Sequence, residues 1–135
     1  MLNWKGDELQ KKMDRVVPWA INSIMSECVR EAKSNVPKVT TVLQGSIQMR
    51  MAKKIGNVWA GLWGSFNCLY AIFVELGTAP HDIFPKTKKA LFWEGAAHPV
   101  SSVHHPGTKA QPFLRPAADR LYPLLIEKIK EGAKT

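Results

Sequence analysis

The sequence predicts an α+β fold in which a small antiparallel sheet of about four strands packs against an N-terminal and a C-terminal helix. Three patterns predict it. Apolar residues recur every three or four positions between Gly6 and Asn35, alternation takes over from Ile47 to Trp63, and a helical stripe returns between Leu114 and Ile129.

In the first segment Leu9, Met13, Val16, Ala20, Ile24 and Cys28 form one face, with Lys11, Lys12, Arg15, Glu27 and Glu31 between them. Asp7 is placed to cap its start, and Asn35-Val36-Pro37 ends it, because a proline disfavours helical geometry in the residue before it. Pro18 removes an interior hydrogen bond at a cost of about 3 kcal/mol, which predicts one bent helix or two consecutive ones.

Ile47, Met49 and Met51 then alternate with Gln48, Arg50 and Ala52, and Gly56-Asn57 separates them from Val58–Trp63, the pattern of a hairpin. The second strand is apolar on both faces, with Val58, Ala60 and Leu62 on one and Trp59 and Trp63 on the other. Either the long helix or a neighbouring subunit can cover the indoles, aromatic anchors being enriched at interface cores. With Val58, Ala60 and Leu62 assigned to the core, Trp59 and Trp63 become candidate subunit or partner contacts.

Tyr70 to Gly77 is too short and too apolar for its period to separate strand from helix; a helical turn ended by Gly77 is favoured. A loop containing Pro80 and Pro85 follows, then a second hairpin of Ala90–Trp93 and Val100–His104 around Gly95. The proline-rich loop His105–Pro112 leads into a last helix with Pro116 in its first turn, a stripe of Leu114, Ala118, Leu121, Leu125 and Ile129, and a kink at Pro123.

The 135 residues make one domain, 1–135, and 45% hydrophobic against 22% charged residues excludes disorder of the whole chain. No apolar run approaches the roughly 18 residues that cross a bilayer, and Met1 to Lys12 lack a signal-peptide core, so a soluble protein made in the cytoplasm is expected, with no membrane contact. Cys28 and Cys68 lack metal spacing and read as buried thiols.

Nineteen Lys and Arg against eleven Asp and Glu give a net charge of +8, suited to nucleic acid or another acidic surface. Between Glu31 and Glu75 there is no acidic residue, while Lys33, Lys38, Arg50, Lys53 and Lys54 fall in that interval. Arg50, Lys53 and Lys54 are therefore candidate contacts to a DNA channel or an acidic partner, at the tip and outer face of the first hairpin. A solvated hairpin tip is the plainer reading of the same residues.

The chemistry-bearing residues form no catalytic pattern. His81, His98, His104 and His105 are not joined by the cysteines in a zinc-type spacing, and the adjacent His104 and His105 point to opposite faces of a strand. No nucleophile elbow surrounds Ser46, Ser65, Ser101 or Ser102, and no glycine-rich phosphate loop is present. Glu75 and Asp82 are conceivable as an acid/base pair, but Glu75 beside Gly77 and Thr78 reads more simply as a carboxylate anchoring a loop. The protein is expected not to be an enzyme and to need no metal or cofactor.

Tyr70–Thr78 (Tyr-Ala-Ile-Phe-Val-Glu-Leu-Gly-Thr), Lys88–Phe92 and above all His105–Ala117 (His-Pro-Gly-Thr-Lys-Ala-Gln-Pro-Phe-Leu-Arg-Pro-Ala) resemble the tail-component family of long-tailed double-stranded DNA bacteriophages and prophages. The order of elements matches over nearly the whole chain. Where family members often carry Pro-Val-Asp-Thr-Gly, this chain has Pro37-Lys38-Val39-Thr40-Thr41, with glycine delayed to Gly45.

The resemblance implies a virion structural protein at the head-tail junction, acting in tail completion, head-tail joining or the neck. It implies a homo-oligomer, a ring of about six subunits, between a portal-side connector or head-closure protein and a tail-terminator or tail-tube protein, in non-specific contact with packaged DNA. The alternatives are a small basic nucleic-acid-binding module, or a tail-terminator or head-closure protein of the same junction.

Overall fold

The computed structural model describes residues 5–37, 41–83 and 102–134. Helix α1, Gly6–Asn35, runs through Pro18 without a break, so the first segment is one helix of 30 residues. Its buried line is Val16, Ala20, Ile24, Met25, Cys28 and Ala32, while Leu9 is left outside the core at 60% exposure. Asp7 does not cap it. Lys5 occupies the capping position without a side-chain bond, and Asp7 and Glu8 lie in the first turn, where negative charge suits the helix dipole.

A short helix α2, Thr41–Ser46, follows and buries Leu43 and Ser46. Strands β1, Ile47–Ile55, and β2, Val58–Ser65, pair antiparallel across Gly56-Asn57, with Gly56 at φ 62. Helix α3, Ala71–Leu76, is the expected turn, closed by Gly77 at φ 74. Strands β3, His81–Ile83, and β4, Val103–His105, form a second ladder.

The strands thus make two separate pairs among the described residues, β1 with β2 and β3 with β4. Ala90–Trp93, Gly95, Lys38 and His98 lie outside the described residues.

Helix α4, Arg115–Leu121, opens with Pro116 in its first turn, and the expected kink at Pro123 is a single 3₁₀ turn, Tyr122–Leu124, leading into α5, Leu125–Ala133. Hairpin and C-terminal helices both pack on α1. One cluster joins Ala32, Leu43, Ile47, Ala71, Phe113 and Ala117, the other Ile24, Cys28 and Leu121. Cys28 is fully buried, and burial, aided by Glu31 and Glu27, pushes its thiol up to about 11; Cys68 is half-buried.

Candidate functional site

The hairpin decides which surfaces are free. Arg50 pairs with Leu62 and Lys53 with Ala60, so Met51 and Ala52 together face one residue of β2, a β-bulge. The extra residue inverts the alternation beyond it. Ile47 is buried and Met49 half-buried as expected, but Met51 turns outward at 61% exposure. Ala52 takes its place toward α1, where its N–H donates to Asn22 Oδ1 at 2.8 Å.

The same inversion separates the three basic candidates. Arg50 and Lys53 are exposed on the outer face, Arg50 lying 4.8 Å over the Phe66 ring. Lys54 instead turns to α1 and holds Asp14 Oδ1 at 2.9 Å. Neither lysine sits at the turn itself, which is Gly56-Asn57.

Assignment of the β2 faces from sequence is reversed by the structure. Trp59 Nε1–H donates to Asp14 of α1 at 3.2 Å, and Trp63 packs against both core clusters while donating to Tyr122 Oη at 2.8 Å. Val58 and Leu62, expected in the core, are 63% and 57% exposed. Of the two coverings open to the indoles, the long helix is present.

A signal for this lay in the sequence. Gly61 falls between the tryptophans on their face, and a side chain there would meet Met25 Cε at 2.5 Å and Ile21 Cγ2 at 3.2 Å. Glycine in a strand marks such close approach. Trp63→Ala is therefore expected to destabilise the single chain by about 3–4 kcal/mol through the cavity it leaves in both clusters. Urea unfolding of the monomer checks this; an unchanged midpoint would return Trp63 to the role of an external contact.

Asp14 ties hairpin to helix. The Lys54 hydrogen bond above all, with those from Trp59 and Gln10, holds its carboxyl below the ordinary value against the opposing effect of burial. A carboxylate so depressed stabilises the fold above its unfolded pKa, and that contribution is lost as pH falls through the folded value. Asp14→Asn is expected to lower the thermal midpoint at about pH 6, and the gap to wild type is expected to close only as the pH falls below the ordinary carboxylate range, through the depressed folded value. A gap that persists at the acid end would mean that charge is not the cause.

Glu75 is placed by α3 and fully occupied. Its Oε2 accepts from the N–H groups of Phe113 at 2.8 Å and Leu114 at 3.0 Å, and its Oε1 from that of Arg115 at 2.9 Å. These are the amides that open α4, so the anchoring role is the one observed. Asp82 is engaged elsewhere, with His104 Nδ1 at 2.8 Å.

Next to Glu75, Gly77-Thr78 meets Gly107-Thr108. Thr78 and Thr108 exchange both backbone hydrogen bonds, at 2.9 and 3.1 Å, and their hydroxyls lie 2.9 Å apart. Gln111 N–H donates to the Val74 carbonyl at 2.8 Å. The bridge shares the β3–β4 register, so the paired Gly-Thr dipeptides align that ladder.

Among the described residues no three His, Cys, Asp or Glu side chains gather to hold a metal ion, and no helix is long and apolar enough to cross a membrane. No protein-family model, curated protein or solved structure matches this chain.

Proposed function

We propose that the chain is a structural protein of a bacteriophage virion, a subunit of a head-tail junction ring in tail completion or the neck. The observation that carries the reading is the outer hairpin face. Met51, Ile55, Val58 and Leu62 are between 57% and 69% exposed there, beside Arg50 and Lys53. Among the described residues a helix covers one side of this sheet and four large apolar side chains are exposed on the other, which suits burial by a neighbour.

Two segments of the resemblance, Tyr70–Thr78 and His105–Ala117, contain the Glu75 cap and the Gly-Thr pair, so the similarity falls on residues that fold as one unit. In this reading the subunit contact moves from Trp59 and Trp63 to the opposite face of the same strand. Arg50 and Lys53 then meet acidic groups of the neighbouring subunit at the rim of that contact. A ring closes through such heterologous contacts, in which one surface meets a different surface of the next copy.

Light scattering tests it. The wild-type chain is expected to run as a closed oligomer of about six copies, and Val58→Glu with Leu62→Glu as a folded monomer, since burying two carboxylates in a contact is prohibitive. A wild-type monomer that is also missing from purified virions overturns the reading.

A further inference from the structure

The face of α1 turned away from both clusters carries a row of cations. Lys11, Lys12 and Arg15 stand at one end and Arg30 and Lys33 at the other, Arg15 lying four and three residues beyond the two adjacent lysines and Lys33 three beyond Arg30, all on one helical face. At 1.5 Å per residue the row is about 33 Å long. None of the five makes an ion pair among the described residues.

The nearby acids of α1 are already spent inside the chain. Asp14 is held by Lys54, Glu27 faces Lys128 at 4.0 Å, and Glu31 accepts from Arg120 Nε at 2.8 and 3.0 Å. Glu8, at the N-terminal end, is the one acidic residue on this face without an ion pair among those described.

Between the two cation groups the face opens into a groove of about 630 Å³, walled by Met49 and Met51 of β1, by Lys128 of α5 and by Glu27, whose carboxylate faces that lysine. Its floor offers Ser23 and Ser26 as hydroxyl donors beside the Trp19 ring, over which Lys128 Nζ lies at 5.7 Å.

We propose that this face of α1 binds the phosphate backbone of duplex DNA without reading sequence. Two cation groups at the ends of a span of about 33 Å, with hydroxyls between them, suit the repeated charge of a duplex, which presents one phosphate per roughly 3.4 Å of each strand. Hydroxyl donors between the cations suit phosphate oxygens, the commonest targets of protein-DNA hydrogen bonds. The cations themselves all lie on the helix, and the groove meets the hairpin face assigned to the subunit contact only at Met51, so the charge row is present in a ring or a free subunit alike.

The test is fluorescence anisotropy of a labelled 20-bp duplex with the full chain at 50 and 200 mM salt. Five phosphate contacts predict a dissociation constant that rises about 500-fold between the two, from a slope of about −0.9 per contact. Arg15→Gln with Arg30→Gln and Lys33→Gln is expected to bind at least about ten-fold more weakly at 50 mM and to flatten the logarithmic slope by about 2.7. Arg50→Gln with Lys53→Gln is expected to bind within about two-fold of wild type.

Lys11→Gln with Lys12→Gln gives a second, separate variant, expected to flatten the slope by about 1.8. Thermal midpoints report that each variant is folded, and particle mass reports the ring independently. No duplex binding at 50 mM overturns the proposal, as does equal loss in the hairpin variant. Binding to polyglutamate but not to duplex would assign the face to an acidic protein instead.

Discussion

Glu75→Ala is expected to destabilise the protein by about 3 kcal/mol, because one carboxylate accepts three backbone hydrogen bonds from the start of α4. Hydrogen bonds to a charged acceptor contribute about 1.5–3 kcal/mol each, and sharing one partly exposed carboxylate keeps the total below their sum. Glu75→Gln is the sharper variant. It keeps one oxygen but turns an NH₂ donor toward an amide donor, so most of the loss should remain. Urea midpoints at constant slope measure both. A Gln variant as stable as wild type would mean that the side chain acts by packing and not as an acceptor.

The second large effect belongs to Gly107. Its φ is 84, and a Cβ there would run into the Thr78 carbonyl oxygen and lie 2.9 Å from the Ala79 carbon and Pro80 nitrogen. Those neighbours are backbone, held by the Thr78–Thr108 bridge, and have little room to retreat. Gly107→Ala is expected to cost about 3 kcal/mol or more, of which about 1–2 is the left-handed conformation itself. Hydrogen exchange at the Thr78 and Thr108 amides should accelerate in step with the fall in thermal midpoint. Gly45→Ala provides the contrast: it sits in α2 with nothing within 4 Å of an added Cβ, and a gain of about 0.5–1 kcal/mol is expected. Equal behaviour of the two variants would remove close backbone approach as the explanation.

The two effects share a cause. Segments 30 residues apart in the chain dock through Gly77-Thr78 and Gly107-Thr108, and the carboxylate next to that junction opens the following helix. Phe113, fully buried, is seated by the same contact. A stretch poor in regular structure is thereby one of the most tightly specified parts of the molecule.

By itself the sequence determined the elements whose causes are local. The apolar period of α1, the hairpin around Gly56-Asn57, the Gly77 stop of α3, the Pro116 start of α4 and the break at Pro123 each depend on side chains within a few residues of where they act. Tertiary structure decided what depends on another element. Asn22 captures the Ala52 amide at a bulge that inverts Met51 and Lys54, and Met25 with Ile21 fills the space over Gly61 that draws the tryptophans onto α1. Alternation along a strand fixes which side chains share a face, and only the arrival of a helix on one face says which of the two is buried. Pro18 shows the reverse case: an interior proline that local preference would make a break lies within one continuous helix packed between hairpin and C-terminal helices, where burial of Val16 and Ala20 outweighs about 3 kcal/mol of local cost.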